Sequence, residues 1–395
     1  MTTIHLKQNR EGPSRTHHPW IYSGAIARVE GPAEPGAVVT VIDAAGSFVA
    51  YGQLSPESQI RVRLLEWREE VRVDEGWWRK SIETALSMRL GRRTAIDASA
   101  YRLIHAEADL LPGLIVDLYG GYVVLQALTA GAEREKTAIA AILEELLRPE
   151  GIFERSDAEV RLREGLQPER GVLRGEEPPP LVEISEGPAR FLVDIASGQK
   201  TGFYLDQREN RRVTAGYATG RSVLDCFAYT GAFAVHALLA GAERVTLVDS
   251  SNAALELAKR NMALNGFGDG PVEYLEGNGA AVLRSFRDSR RSFDLIILDP
   301  PKFARTRSQV DKAVRAYKDV NLLAMKLLNP GGVLATFSCS AGVGLELFSE
   351  IIRWAALDAD RRVQIIERLG QPLDHPVLAS FPASEYLTGC LCRVI

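Results

Sequence analysis

The chain has 395 residues, with 47 Lys and Arg against 51 Asp and Glu for a formal charge of −4, and 46% of it is hydrophobic. That length suggests two or three domains with ordinary cores. The slight acidity excludes a protein that coats nucleic acid by bulk charge, yet leaves room for a local basic patch.

Residues 1–10 hold no apolar signal region, and no apolar run approaches the ~18 residues of a membrane span. Four cysteines in so long a chain are not a disulfide framework, and no Cys/His cluster has zinc spacing. A reducing, cytoplasmic setting with neither metal nor membrane is expected.

The first ~70 residues read as short strands between turns, among them Val38–Ile42, Phe48–Gly52 and Ile60–Leu65, and predict a small barrel or sandwich. A helix is expected over 75–90. Strands follow at Tyr101–His105, Leu114–Leu118 and Tyr122–Leu125, then an Ala/Leu/Glu-rich helix over 133–147. Residues 155–181 are polar and charged and end in prolines, which fits a linker or an exposed hairpin.

From about Phe191 strands alternate with helices: Ser222–Asp225, Arg244–Val248, Leu295–Leu298 and Val333–Phe337 each precede a helical pattern. This alternation predicts a parallel, doubly wound sheet, whose ligands sit outside the carboxyl ends of its strands. At those ends stand Asp225, Asp249, Asp299 and Cys339. An Asp there also serves as an ordinary helix cap.

The first strand-end loop, Asp225 to Phe233, carries one glycine, Gly231, and so lacks the fingerprint a dinucleotide pyrophosphate needs. NAD is disfavoured. Asp249 ends the next strand, where an acid accepts ribose hydroxyls, and Asn278 follows a third short strand, within reach of a base edge. A ribose acid without a phosphate loop suggests S-adenosylmethionine.

Asp299-Pro300-Pro301-Lys302-Phe303 reads as a stiff ledge offering a carboxylate and carbonyls, suited to the amide edge of a nucleobase, or as a plain strand-terminating turn. Cys339, between Ser338 and Ser340, is either a small buried hydrophobe or a nucleophile that adds to pyrimidine C6 and activates C5 toward a methyl donor. Cys226 is the competing thiol, and Cys390 and Cys392 read as packing residues in a terminal strand.

Together Leu205–Arg211, Asp225–Phe233, Asp299–Phe303 and Ser338–Ser340 resemble the class I S-adenosylmethionine-dependent methyltransferases that modify cytosine C5 in large-subunit ribosomal RNA. His18–Gly24 resembles the start of that family's N-terminal PUA domain, and Leu111–Asp117 its central domain. His105–Leu110 departs from the family, whose members carry more glycine there.

The resemblance implies an α/β fold of three parts: a PUA-like RNA-binding β-barrel over 1–72, a central α+β domain over 73–185, and a Rossmann-like methyltransferase domain over 186–395. It implies that Lys200, Thr201, Gly202, Phe203, Gln207 and Arg208 line the S-adenosylmethionine site. With them go Asp225, Phe227, Tyr229, Gly231, Asp249, Ser250, Asn278 and Asp299. Cys339 and Asp299 are the expected catalytic pair, with Glu385 either the general base or a solvated loop acid.

Lys302, Arg305 and Arg307 open a basic stretch that runs to Lys318 and suits phosphates beside an extruded base, or else forms a solvated helix face. Arg15 and Trp20 are further RNA candidates, with a buried structural Trp20 as the alternative. Large-subunit ribosomal RNA is the expected partner, and a homodimer stays open. The rival functions are methylation of another base or atom, such as guanine N7, and a non-catalytic RNA-binding factor on a methyltransferase fold. Guanine-N7 relatives lack the Ser-Cys-Ser triplet, which favours cytosine.

Overall fold

Six short strands open this computed structural model, which describes residues 2–91, 97–304, 309–340 and 342–395. They are β1 (Thr2–Leu6), β2 (Trp20–Tyr22), β3 (Ile26–Glu30), β4 (Val38–Ile42), β5 (Phe48–Leu54) and β6 (Ile60–Glu66), in the order β2-β6-β5-β4-β1-β3. Every second residue of β1 and β4 is buried, so Ile4, Leu6, Val39 and Val41 share a core with Val62 and Leu64.

A second sheet has its own core. It comprises β7 (Ala100–His105), β8 (Leu114–Tyr119), β9 (Tyr122–Ala127), β10 (Gly151–Ser156) and β11 (Glu169–Gly175), in the order β11-β10-β9-β8-β7. Helix Glu75–Leu90 begins at Asp74, whose carboxylate accepts from Trp77 N. Helix Ala130–Leu147, capped by Thr129, is the crossover that the parallel pair β9 and β10 requires. Residues 105–110, where the sequence departs from the family, form a short 3-10 turn. It is closed by His105 N donating to Asp109 Oδ2 (2.6 Å) and by both Arg89 Nη atoms on the Asp109 carboxylate.

Within 155–181 the structure has a hairpin, since β11 pairs antiparallel with β10, and the linker alternative is corrected. Charge there does not mean solvent. Arg161 is fully buried and donates to Ala127 O and to Glu133 (2.7 Å). Glu164 is 3% exposed and receives both Nη atoms of Arg63, at 2.9 and 2.8 Å. Lys136 Nζ reaches Glu133, Glu154 and Glu169, so this acidic cluster encloses a cation supplied by the chain itself. Paired charges tolerate burial that single ones do not.

After the hairpin β12 (Val182–Glu186) and β13 (Ala189–Val193) comes the largest sheet. Its strands are β14 (Ser222–Cys226), β15 (Arg244–Asp249), β16 (Val272–Glu276), β17 (Phe293–Leu298), β18 (Leu328–Ser338), β19 (Val363–Gly370) and β20 (Thr388–Val394), in the order β16-β15-β14-β17-β18-β20-β19. β14 to β18 are parallel, and β20 runs antiparallel to both β18 and β19. β14 is buried along its whole length, as a central parallel strand covered on both faces must be. The order grows from β14 outward to β16 and resumes at β17 on β14's other side. The switch point therefore lies between β14 and β17.

Two compact units divide the chain. One comprises Met1–Ile184, Val193–Leu205 and Leu373–Glu385; the other comprises Ser185–Leu192, Asp206–Pro372 and Tyr386–Ile395. Among the described residues no helix is long and apolar enough to cross a membrane.

A buried charge cluster ties the second unit together. Arg211 Nε and Nη2 donate to Glu186 Oε2 and Oε1 at 2.8 and 2.5 Å, and His236 Nε2 lies 3.2 Å from Oε2. Burial pushes the Glu186 carboxyl up, but the Arg211 charge and the hydrogen bonds from His236 and Arg211 prevail and hold it at about 2. A depressed carboxyl contributes stability that is present above its unfolded value of about 4.3 and lost as pH falls through about 2. Glu186→Gln, which strands the Arg211 charge, is expected to destabilise the protein by about 3–5 kcal/mol in urea unfolding near neutral pH. The variant should also lose less stability than the parent over that acid window.

Candidate active site

The site begins with the loop after β14. Phe227, Tyr229 and Gly231 have φ of 69°, 47° and 77°, so every second residue from 227 to 231 is left-handed. Only glycine adopts this region freely, and non-glycine residues there store strain that the surroundings must hold. The hold is visible: Phe227 N and Ala228 N both donate to Val248 O, at 2.8 and 3.0 Å. Tyr229 N donates to Asp249 Oδ2 at 2.8 Å, while Ser251 N takes Oδ1 at 2.9 Å. The acid ending β15 thus shapes the β14 loop and keeps further lone pairs for a ligand. Ser250 is exposed. Asn278 caps helix Gly279–Asp288 through Oδ1, which accepts from Ala281 N (3.1 Å).

Asp225 ends β14 at 1% exposure, with Oδ2 accepting from Ala234 N (3.2 Å). Burial pushes its carboxyl up to about 8, the Asp299 charge across the switch point adding to the rise and Asp249 contributing less. Asp225 therefore holds a proton at neutral pH. With the folded value raised, its contribution to stability is fully present below the unfolded value of about 3.9 and is lost as pH rises through about 8. Urea melts from pH 6 to 9 should show this decline in the parent protein. The slope should flatten in Asp225→Asn, which keeps an acceptor for Ala234 N and has no proton to lose.

Asp299 follows β17 directly, and the ledge after it is tied to the β18 turn. Phe303 N and Ala304 N donate to Ser340 Oγ at 3.0 and 3.1 Å. Cys339 sits in that turn and is partly exposed, whereas Cys226, Cys390 and Cys392 are buried. Burial raises all three buried thiols, Cys390 to about 11 and Cys226 and Cys392 further. They stay protonated and sheltered at neutral pH, which separates Cys339 from its competitors.

The other expected site residues divide between the two units. In the first, Lys200 is exposed with its ammonium 4.3 Å from the Tyr204 ring centroid. Thr201 is buried and donates to Asp117 Oδ2 (2.6 Å), and Phe203 N donates to Tyr119 Oη (3.3 Å). Gly202 has φ +134°, and a Cβ there would come within 3.0 Å of Ile195 Cα. In the second, Gln207 and Arg208 are buried, and Gln207 Oε1 accepts from Asn210 Nδ2 at 2.6 Å.

Glu385 is exposed and ends a segment of the first unit. Lys302 is exposed, as are Lys312 and Arg315, while Lys318 pairs with Asp358 (2.6 Å). Arg305 and Arg307 lie outside the described residues. Arg15 pairs with Asp43 at 2.5 Å. The Trp20 indole donates to Glu107 (2.8 Å) and packs on Phe381 at 4.6 Å, which commits it within the fold. Tyr317 escaped the sequence reading, yet its hydroxyl lies 2.9 Å from Ser340 Oγ. Its signal is a phenol on the buried stripe Ala313, Tyr317, Val320, Ala324 of helix Val310–Leu327.

A phosphate-free cationic cofactor fits the strand-end residues of the second unit. The loop has no glycine cradle for phosphate, and its Thr230 Oγ1 is buried without a hydrogen-bond partner among the described residues. A Cβ on Gly279 would come within 2.6 Å of the Phe227 ring, so that glycine lets the ring lie against the helix start. The Asp249 and Asp299 carboxylates near the switch point suit a sulfonium charge and ribose hydroxyls.

Comparison with known proteins agrees. Residues 110–387 match the S-adenosylmethionine-dependent methyltransferase family, and residues 4–67 match the PUA-like domain. Ribosomal RNA large subunit methyltransferase I of Erwinia tasmaniensis is 45% identical over 392 residues, 99% of this chain and 98% of the relative. The protein of that name in Klebsiella pneumoniae is likewise 45% identical over the same shares.

Among solved structures, a SAM-dependent methyltransferase from Streptococcus mutans matches over 100% of both chains with a TM-score of 0.85 at 20% identity. A methyltransferase complexed with SAH matches over 100% of both with a TM-score of 0.87 at 21% identity. At that identity both speak to the fold alone. With its PUA-like N-terminus, its switch-point site and relatives matched end to end, the chain belongs to the ribosomal RNA large subunit methyltransferase I family of S-adenosylmethionine-dependent methyltransferases.

Proposed function

We propose that this protein methylates C5 of a cytosine in large-subunit (23S) ribosomal RNA, in the cytoplasm, through a covalent adduct on Cys339. One observation carries the reading. Cys339 is the one partly exposed cysteine of four, in a turn that Ser340 binds to the Asp299 ledge. The relatives' name supplies the substrate class.

Cytosine C5 is a poor nucleophile, and the residues at hand remedy that. The Cys339 thiolate forms a bond to C6 and the C5=C6 double bond opens. Asp299, in its protonated form and holding the N3 and amino edge, donates a proton toward N3 as electrons move onto the ring. S-adenosylmethionine, when bound, supplies an electrophilic methyl group. C5 takes that methyl, leaving S-adenosylhomocysteine; a base removes the C5 proton, and the returning electron pair restores C5=C6 as the Cys339 sulfur leaves and N3 gives its proton back to Asp299.

The target base must be extruded from folded RNA at a cost of a few kcal/mol. Exposed Lys302, Lys312 and Arg315 are the cations we assign to the flanking phosphates. Mapping of 5-methylcytosine in 23S RNA should show one position lost in a strain lacking the protein and restored by the gene. An unchanged cytosine map, or loss of a methyl on another base, overturns the reading.

A further inference from the structure

Ser340 Oγ accepts two backbone N–H groups, from Phe303 and Ala304. A hydroxyl oxygen has two acceptor positions, and both are then filled. The Ser340 hydrogen must therefore be given away, and Tyr317 Oη at 2.9 Å is there to take it. The turn is held further by Ser340 N, which donates to Ser338 Oγ at 3.4 Å. The order of donation is thus ledge amides to Ser340 and Ser340 to Tyr317.

All three hydroxyl residues are buried, Tyr317 fully. Burial pushes the Tyr317 phenol up, the Cys339 and Asp299 charges adding to the rise, so it stays a neutral phenol. Its ring is locked edge-on by Phe303 at 4.7 Å and Phe348 at 5.8 Å. Cys339 directly precedes the serine that the phenol holds.

We infer that Tyr317 is a positioning residue for the reaction: its hydroxyl holds Ser340 against the ledge amides, and so sets the Cys339 sulfur against the Asp299 ledge. The inference rests on Cys339 being the nucleophile. It deepens that reading by naming, on helix Val310–Leu327, the group that holds the thiol in register. A sulfur displaced by an ångström loses on the order of 100-fold in rate while ligand binding at the other strand ends is untouched.

The experiment compares Tyr317→Phe, which removes one oxygen and keeps the ring, with the parent protein and Cys339→Ala. Each is assayed for methyl transfer to ribosomal RNA, for S-adenosylmethionine affinity by calorimetry, and for covalent capture of 5-fluorocytidine RNA. For Tyr317→Phe the expected result is a kcat lower by roughly 10- to 100-fold, with cofactor affinity and RNA KM within about twofold of the parent. Capture on Cys339 should slow in step.

Parent-like kcat and capture in Tyr317→Phe, beside an inactive Cys339→Ala, overturns the positioning role alone. A Tyr317→Phe protein that loses cofactor affinity together with kcat also overturns it, because the hydroxyl would then only hold the fold. Persistent transfer by Cys339→Ala overturns the nucleophile reading, and this inference with it.

Discussion

Cys339→Ala is expected to lower methyl transfer by about 10⁴-fold or more, the scale on which enzymes lose rate when their nucleophile is deleted. S-adenosylmethionine and RNA affinities should stay within about twofold, because the carboxyl groups at the ends of β14, β15 and β17 and the exposed lysines are untouched. Stability should change little, since Cys339 is partly exposed and outside the hydrophobic core, unlike Cys226, Cys390 and Cys392, which belong to it. Transfer assays beside calorimetry separate the effects. Loss of activity together with cofactor binding would point to a packing role for the thiol, and retained activity would remove it from the chemistry.

The second large effect is expected at Asp299. Asparagine preserves the shape of the side chain and its hydrogen bonding to an amide-like edge, but it cannot transfer a proton to N3. General acid catalysis of this kind contributes about 10²- to 10⁴-fold, so kcat of Asp299→Asn should fall within that range. A second consequence is independent of turnover. The Asp299 charge is the main electrostatic contribution to the raised carboxyl of Asp225, after burial. Removing it should lower the pH at which Asp225 ionises in the folded protein. The alkaline loss of stability would then end at lower pH than in the parent. A kcat within twofold of the parent would exclude Asp299 as the acid.

Much of this architecture is legible in the sequence, for physical reasons. The strand–helix alternation after Phe191 gives a parallel sheet because buried strands read as short apolar runs, such as Leu295–Leu298. Strand ends are legible where an acid or cysteine stops such a run, as at Asp225, Asp249, Asp299 and Cys339.

What local sequence does not encode is long-range pairing of polar groups. The 155–181 stretch reads as a linker or an exposed hairpin because its charges are conspicuous, and their partners Arg63, Glu133 and Lys136 lie elsewhere in the chain. Likewise nothing around Tyr317 announces that its hydroxyl meets a serine 23 residues on. The left-handed Phe227 and Tyr229 were also hidden, since only tertiary contacts hold non-glycine residues in that region. The single glycine, Gly231, was the visible part of a loop with three such positions.

The most direct test of the central claim replaces cytidine by 5-fluorocytidine in large-subunit ribosomal RNA and incubates it with the protein and S-adenosylmethionine. Fluorine at C5 cannot leave as a proton, so the Cys339–C6 bond should persist once C5 is methylated. The predicted result is a denaturation-resistant protein–RNA complex that requires the cofactor and maps by peptide sequencing to Cys339. No covalent complex from a preparation that methylates the unmodified RNA, or a complex on any other residue, would contradict it.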